Sequence, residues 1–180
     1  MVANEKFDIR GINHLALVCK DMQATVDFYT GILGMPLIKT IDLPMNSGKH
    51  FFFDIGNNDA LAFFWFPNAP VSQPGVTHSA SIVGQGDITS AHASMNHVAF
   101  DVPQEKIEEY QSVLEAAGVD VTPVYNHDES EYQASLTVTD TTFVRSIYFK
   151  DPDGILLEFA GWTRELDEND VNLEMLKIER

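Results

Sequence analysis

Two histidines and one glutamate carry the chemistry that is easiest to read in this chain. Asn13-His14-Leu15-Ala16-Leu17 and Asn96-His97-Val98-Ala99-Phe100 repeat one pattern at an offset of 83 residues, nearly half of the 180. An offset that large marks two successive structural modules, with the histidines related by duplication. Near the end of the second copy, Asp151-Pro152-Asp153-Gly154-Ile155-Leu156-Leu157-Glu158-Phe159 places a carboxylate inside an apolar strand, where an ionised side chain is costly without a partner. Two imidazoles and one carboxylate are a donor set that suits a divalent metal. His14, His97 and Glu158 are therefore the candidate metal ligands.

The elements that must position these residues also repeat. A helical segment over 22–33 carries Val26, Phe28, Tyr29, Ile32 and Leu33 at three- and four-residue steps and stops at Gly34. Its counterpart follows Pro103, with Ile107, Tyr110, Val113 and Leu114 at the same steps, and stops at Gly118. Strands are expected over 35–42, 49–55 and 60–66 in the first half, and over 119–124, 133–139, 144–149 and 155–161 in the second. Gly56-Asn57-Asn58-Asp59 and Asp151-Pro152-Asp153-Gly154 form the turns before the last strands. Each module thus reads strand, helix, then about three strands.

Alternation along a strand sets which way each side chain points. His14 shares a face with Ile12, Ala16 and Val18, whereas Leu15 and Leu17 take the other; His97 goes with Ala99, and Glu158 with Leu156 and Ala160. The large apolar residues are expected against the helices. The three candidate ligands are then left on the opposite, concave face beside small alanines.

These features resemble the vicinal oxygen chelate superfamily, which includes glyoxalases, extradiol ring-cleaving dioxygenases, fosfomycin-modifying enzymes and bleomycin-resistance proteins. The resemblance covers about residues 9–162 and rests on the paired histidines and on Tyr148-Phe149-Lys150-Asp151-Pro152-Asp153-Gly154 with Glu158. It implies an α+β fold of two tandem βαβββ modules whose mixed sheets curl into a cup around a metal. The modules occupy 9–70 and 96–162, joined by a connection over 71–95 and followed by an acidic extension over 163–180, all within one domain.

Glyoxalase-type members carry a fourth ligand on the last strand of the first module. Here that place falls on Ala62 or, with a one-residue shift, Phe63, and neither binds metal. A two-histidine, one-carboxylate set leaves adjacent coordination positions open and suits Fe(II), with Mn(II) or another divalent ion as the alternative. Tyr148 stands where the ring-cleavage pattern has a tyrosine, so the resemblance points to a type I extradiol dioxygenase acting on a small aromatic diol and O2. The same pattern has a histidine seven to nine residues before that tyrosine, where this chain has Thr139-Asp140-Thr141. His127, His50 or His78 could supply the missing acid or base from elsewhere, and Tyr148, His127 and His50 are the catalytic candidates.

Two other reactions fit the resemblance. One is a non-oxidative metal-dependent reaction, by a glyoxalase-like lyase or a fosfomycin-type transferase; the latter needs an anion-binding group near the metal, for which Arg145 is the main strand candidate. The other is metal-free drug sequestration, as in bleomycin-resistance proteins. The intact triad argues against sequestration, because a buried glutamate has no purpose there. Phe51, Phe53, Phe63 to Phe66 with Trp65, and Phe143 supply aromatic surface for a hydrophobic substrate, about half of it expected on the helix side.

Composition bounds the partners. The formal net charge of −16 disfavours nucleic acids and anionic membranes, whose phosphates it would repel. No apolar run reaches the roughly 18 residues of a membrane span, and the N-terminal residues lack a signal-peptide pattern, so a cytoplasmic protein is expected. Cys19 is the single cysteine and is expected to pack beside the first strand. The extension holds Val171, Leu173, Met175, Leu176 and Ile178 as apolar contacts for a short helix, which could pack on its own sheet or on a partner in a homodimer.

Overall fold

The computed structural model describes residues 6–172. The first module runs β1 (His14–Cys19), α1 (Met22–Val26), a π-helical continuation (Asp27–Ile32), β2 (Leu37–Asp42), β3 (Lys49–Gly56) and β4 (Asp59–Trp65). The second runs β5 (Val98–Asp101), α2 (Ile107–Ala116), β6 (Tyr125–His127), β7 (Val144–Lys150) and β8 (Leu156–Trp162). The sheets have the same order, β1-β4-β3-β2 and β5-β8-β7-β6, with the first and last strand of each module parallel and the rest antiparallel. The α+β class and the two βαβββ modules are as the sequence predicts, but the two sheets stay separate and do not close into one cup.

Local chemistry sets the element ends. Asp21 caps α1 by accepting from the backbone N–H groups of Gln23 and Ala24. Gly118, at φ +80°, terminates α2 in a left-handed turn in which its own N–H reaches Glu115 O and that of Val119 reaches Leu114 O. Asp151 Oδ1 accepts from the N–H groups of Asp153 and Ile155, folding the turn that starts β8.

One core joins the modules through their helix-covered faces. Tyr29, Phe51, Phe53, Leu61 and Phe63 from the first pack in the same cluster as Ile107, Leu114, Ile147, Phe149 and Leu157 from the second. Hydrogen bonds cross the junction from Tyr29 Oη to Asp151 Oδ2 at 3.2 Å and from the Lys20 N–H to Asp153 Oδ2 at 3.0 Å. Cys19 is buried in this core, and burial pushes its thiol up to about 11, so it packs as a small apolar group.

Two strand expectations are corrected. Residues 119–124 are not a ladder strand: Pro123 has no N–H to donate, and the segment is tied to β7 by Thr122, whose N–H reaches Tyr148 O and whose Oγ1 accepts from the Tyr148 N–H. Residues 133–139 form no strand: the segment bends, only Ser135 bridges to Asn126, and Asp128 gathers the hydroxyls of Ser135 and Thr139. Within the connection over 71–95, His78, Ser79 and Ile82 are buried. Phe51, Phe53 and Phe63 take the helix side, as expected for about half of the aromatics, and Phe52 and Phe64 lie on the open face of the first sheet. The short helix expected in the extension, with Leu173, Met175, Leu176 and Ile178, lies outside the described residues.

Candidate metal centre

Strand pairing puts the second-module candidates on one face. Ala99 on β5 is paired with Glu158 on β8, which is paired with Tyr148 on β7, so these three lie in one row across the sheet. His97 precedes β5 on the same side, and its Nε2 lies 3.0 Å from Glu158 Oε2. Two donors bound to one cation at right angles, each about 2.1 Å from it, would sit about 3 Å apart, so this pair has the spacing of adjacent ligands.

The tautomer needed for ligation is built into the sequence. Asn96 Oδ1 lies 2.8 Å from His97 Nδ1, and Asn13 Oδ1 lies 2.8 Å from His14 Nδ1. An amide oxygen only accepts, so Nδ1 carries a hydrogen in both residues and Nε2 is the nitrogen left for ligation; that of His97 is hydrogen-bonded to the Glu158 carboxylate, a contact that a bound cation would replace. Both orienting residues escaped the sequence reading, although each is the first residue of a repeated motif.

Glu158 is only 5% exposed. Burial pushes its carboxyl up, but His97, Ser146 and Tyr148 together outweigh that and hold it below the usual carboxylate range. Ser146 is fully buried, and its Oγ makes no well-formed hydrogen bond among the described residues. A carboxylate oxygen, an imidazole nitrogen and a buried hydroxyl side by side fit a bound cation with its water.

Tyr148 and His127 complete this face. The Tyr148 hydroxyl lies 2.9 Å from His127 Nε2 and also interacts with Glu158. Burial and the Glu158 charge raise its pKa well above that of a free phenol, so it is a protonated donor at neutral pH. His127 on β6 thus stands beside the site despite its distance in sequence, whereas His50 and His78 do not. His50 is buried in the first sheet, with Nδ1 3.0 Å from Phe63 O and its ring stacked on Phe64. His78 is buried, with Nδ1 2.9 Å from Ser79 O.

His14 is exposed on the open face of the first sheet, its ring 5.6 Å from that of Phe52. Strand register makes Phe52 the counterpart of Tyr148 and Ala62 the counterpart of Glu158, which resolves the choice between Ala62 and Phe63. Among the described residues no cluster of three His, Cys, Asp or Glu side chains forms, so one chain brings His97 and Glu158 together but not His14. Arg145 faces away from the site, and its guanidinium is occupied by Asn126 Oδ1, Gln104 O and Glu108. It is not an anion-binding group for this face.

Comparison with known proteins agrees with this architecture. Fosfomycin resistance protein FosX of Listeria monocytogenes is 26% identical over 158 residues, 87% of this chain and 93% of FosX. Metallothiol transferase FosB of Shouchella clausii is 26% identical over 151 residues, 83% of this chain and 79% of FosB. A match of 27% over 113 residues covers only 32% of MhqE of Bacillus subtilis, a candidate ring-cleaving dioxygenase. The crystal structure of FosX with Mn(II) and sulfate superposes with a TM-score of 0.54, at 24% identity, over 86% of this chain and 94% of that one. The profile of the glyoxalase/bleomycin resistance protein/dioxygenase superfamily matches residues 11–159, and the chain belongs to that superfamily.

Proposed function

We propose that this protein is a divalent-metal enzyme acting non-oxidatively on a substrate that chelates through neighbouring oxygens, by adding water or a thiol to an electrophilic carbon. The observation that carries the reading is the 3.0 Å pair of His97 Nε2 and Glu158 Oε2, with the imidazole oriented by Asn96. A cation bound there would polarise the substrate oxygen and stabilise the negative charge it develops. Tyr148, held protonated, donates a hydrogen bond to an oxygen on that face, and His127 Nε2 is placed to exchange a proton with the phenol.

Two observations favour addition over ring cleavage by oxygen. The relatives that match over most of their length are a fosfomycin resistance protein and a metallothiol transferase. The segment where the ring-cleavage pattern has its histidine is a hydroxyl network of Thr139, Thr141 and Thr142 around Asp128, with no histidine in it.

The third ligand in this reading is His14 of a second copy of the chain. Its neighbours on the open face, Ile12 and Val18, are 64% and 48% exposed, an apolar surface that a symmetric partner would cover. Metal analysis of protein loaded with Mn(II) or Fe(II), followed by oxygen uptake with catechols and thiol consumption with small epoxides, tests the proposal. Near one ion per chain, thiol or water addition and no oxygen uptake are expected, with Glu158→Gln losing at least about 10-fold in metal affinity. Oxygen consumption with a catechol would restore the dioxygenase reading, and full metal retention by Glu158→Gln would remove the site.

A further inference from the structure

The connection between the modules returns to the candidate site at three points. Ile82 is buried in a cluster with Tyr148 and Leu156, against which Val83 and Tyr125 pack. Gly84, at φ +77°, passes so close to Tyr125 that a Cβ there would lie 1.9 Å from the phenol oxygen. Asn96, whose Oδ1 orients His97, donates from its amide nitrogen to Ile88 O at 2.7 Å and to Ser90 Oγ at 3.3 Å. The Ser79 N–H reaches Asn96 O at 3.3 Å, and Ser79 Oγ reaches Ile88 O at 3.2 Å. Residues 79–90 therefore form a strap that is tied to the residue orienting His97 and rests its apolar tip on the phenol of the site.

The character of the wall follows from what faces it. Ile82, Val83, Leu156 and the Tyr125 ring are apolar, and Arg145 is turned to the other side of the sheet. Lys150, at the end of β7, lines a cavity with Ile82, Gln85 and Asp120 and not with Tyr148 or Glu158. A phosphonate resting on Ile82, Val83, Leu156 and the Tyr125 ring would lose water against apolar side chains, whereas an uncharged group would bury apolar surface there.

We propose that the strap is the specificity element of the site. Ile82 and Val83 form the wall against which the part of the substrate beyond its chelating oxygens rests, and that part is uncharged and apolar. The proposal rests on the metal-chelation reading, and its test separates the two. Mn(II)-loaded protein would be titrated calorimetrically with acetohydroxamate, benzohydroxamate and phosphonoacetate, with bound Mn(II) measured independently for each variant.

Benzohydroxamate is expected to bind at least about 10-fold more tightly than phosphonoacetate. Ile82→Ala is expected to change the benzohydroxamate to acetohydroxamate affinity ratio by about 10-fold while keeping its Mn(II), since a few methylenes in a pocket discriminate by that order. Val83→Ala tests the same wall if Ile82→Ala fails to fold. Tighter binding of phosphonoacetate, or an unchanged ratio in metal-loaded variants, overturns the strap's role and leaves the metal site standing. Failure of the wild-type protein to hold Mn(II) overturns the metal reading and this proposal with it.

Discussion

Asp151 ties chemistry to stability at the module junction. Its Oδ1 accepts two backbone N–H groups and its Oδ2 a phenol hydrogen from Tyr29, yet burial outweighs these bonds and raises its pKa from 3.8 to about 6. The folded state therefore holds this proton more tightly than the unfolded state, so stability falls as pH rises from about 4 through about 6 and the penalty is complete above that. The shift corresponds to about 3 kcal/mol at most. Asp151→Asn keeps an oxygen for the backbone donors and carries no charge, so urea unfolding should find it more stable than wild type at pH 8 and no more stable at pH 4. An identical pH profile would place the carboxylate's energetics elsewhere. A second residue-scale expectation concerns Asn96: Asn96→Ala should weaken metal binding about 10- to 100-fold in a metal titration, and an unchanged affinity would remove Asn96 from the orientation of His97. At this scale His97, Glu158 and Tyr148 were legible because duplication and a carboxylate in an apolar strand are sequence patterns. Arg145 was misjudged although it alternates with Ser146 and Tyr148, so strand parity alone would have sent it to the other face.

The elements show where local pattern stops predicting structure. β1, β3, β4, β7 and β8 follow from alternation and turn residues. The segments over 119–124 and 133–139 carry β-branched residues but lose their ladders to Pro123 and to the side-chain bonds of Thr122 and Asp128. The strap was not legible at all, because its contacts with Tyr148, Tyr125 and Asn96 join residues far apart in sequence with no periodicity to announce them. A close approach between elements also explains Gly161 on β8. A Cβ there would lie 2.5 Å from Gln104 Cα, in the backbone leading into α2. Gly161→Ala should cost roughly 2 kcal/mol or more in denaturant unfolding, and a cost below about 0.5 kcal/mol would show that this junction yields easily.

At the scale of the whole molecule, the two modules spend their helix-covered faces on each other and leave their open faces outward. One open face carries His97, Glu158, Tyr148 and His127, and the other carries His14, Phe52 and Phe64. Among the described residues no helix is long and apolar enough to cross a membrane. The sequence foretold the duplication, but not that packing within one chain would set His14 on a different sheet from His97 and Glu158. In the proposed reading, a symmetric pair of chains, each giving His14 to the other's His97 and Glu158, would make two equivalent sites.

Subunit complementation tests that claim most directly. His14→Ala and Glu158→Gln chains would be purified separately, shown to hold little Mn(II), then exchanged and isolated as a doubly tagged heterodimer. In that heterodimer one site combines both defects and the other has neither. The account predicts one tightly bound Mn(II) per heterodimer, with catalytic addition restored at that site. A heterodimer as empty of metal as its parents would contradict a site shared between chains, and retention of metal by His14→Ala alone would remove His14 from the centre.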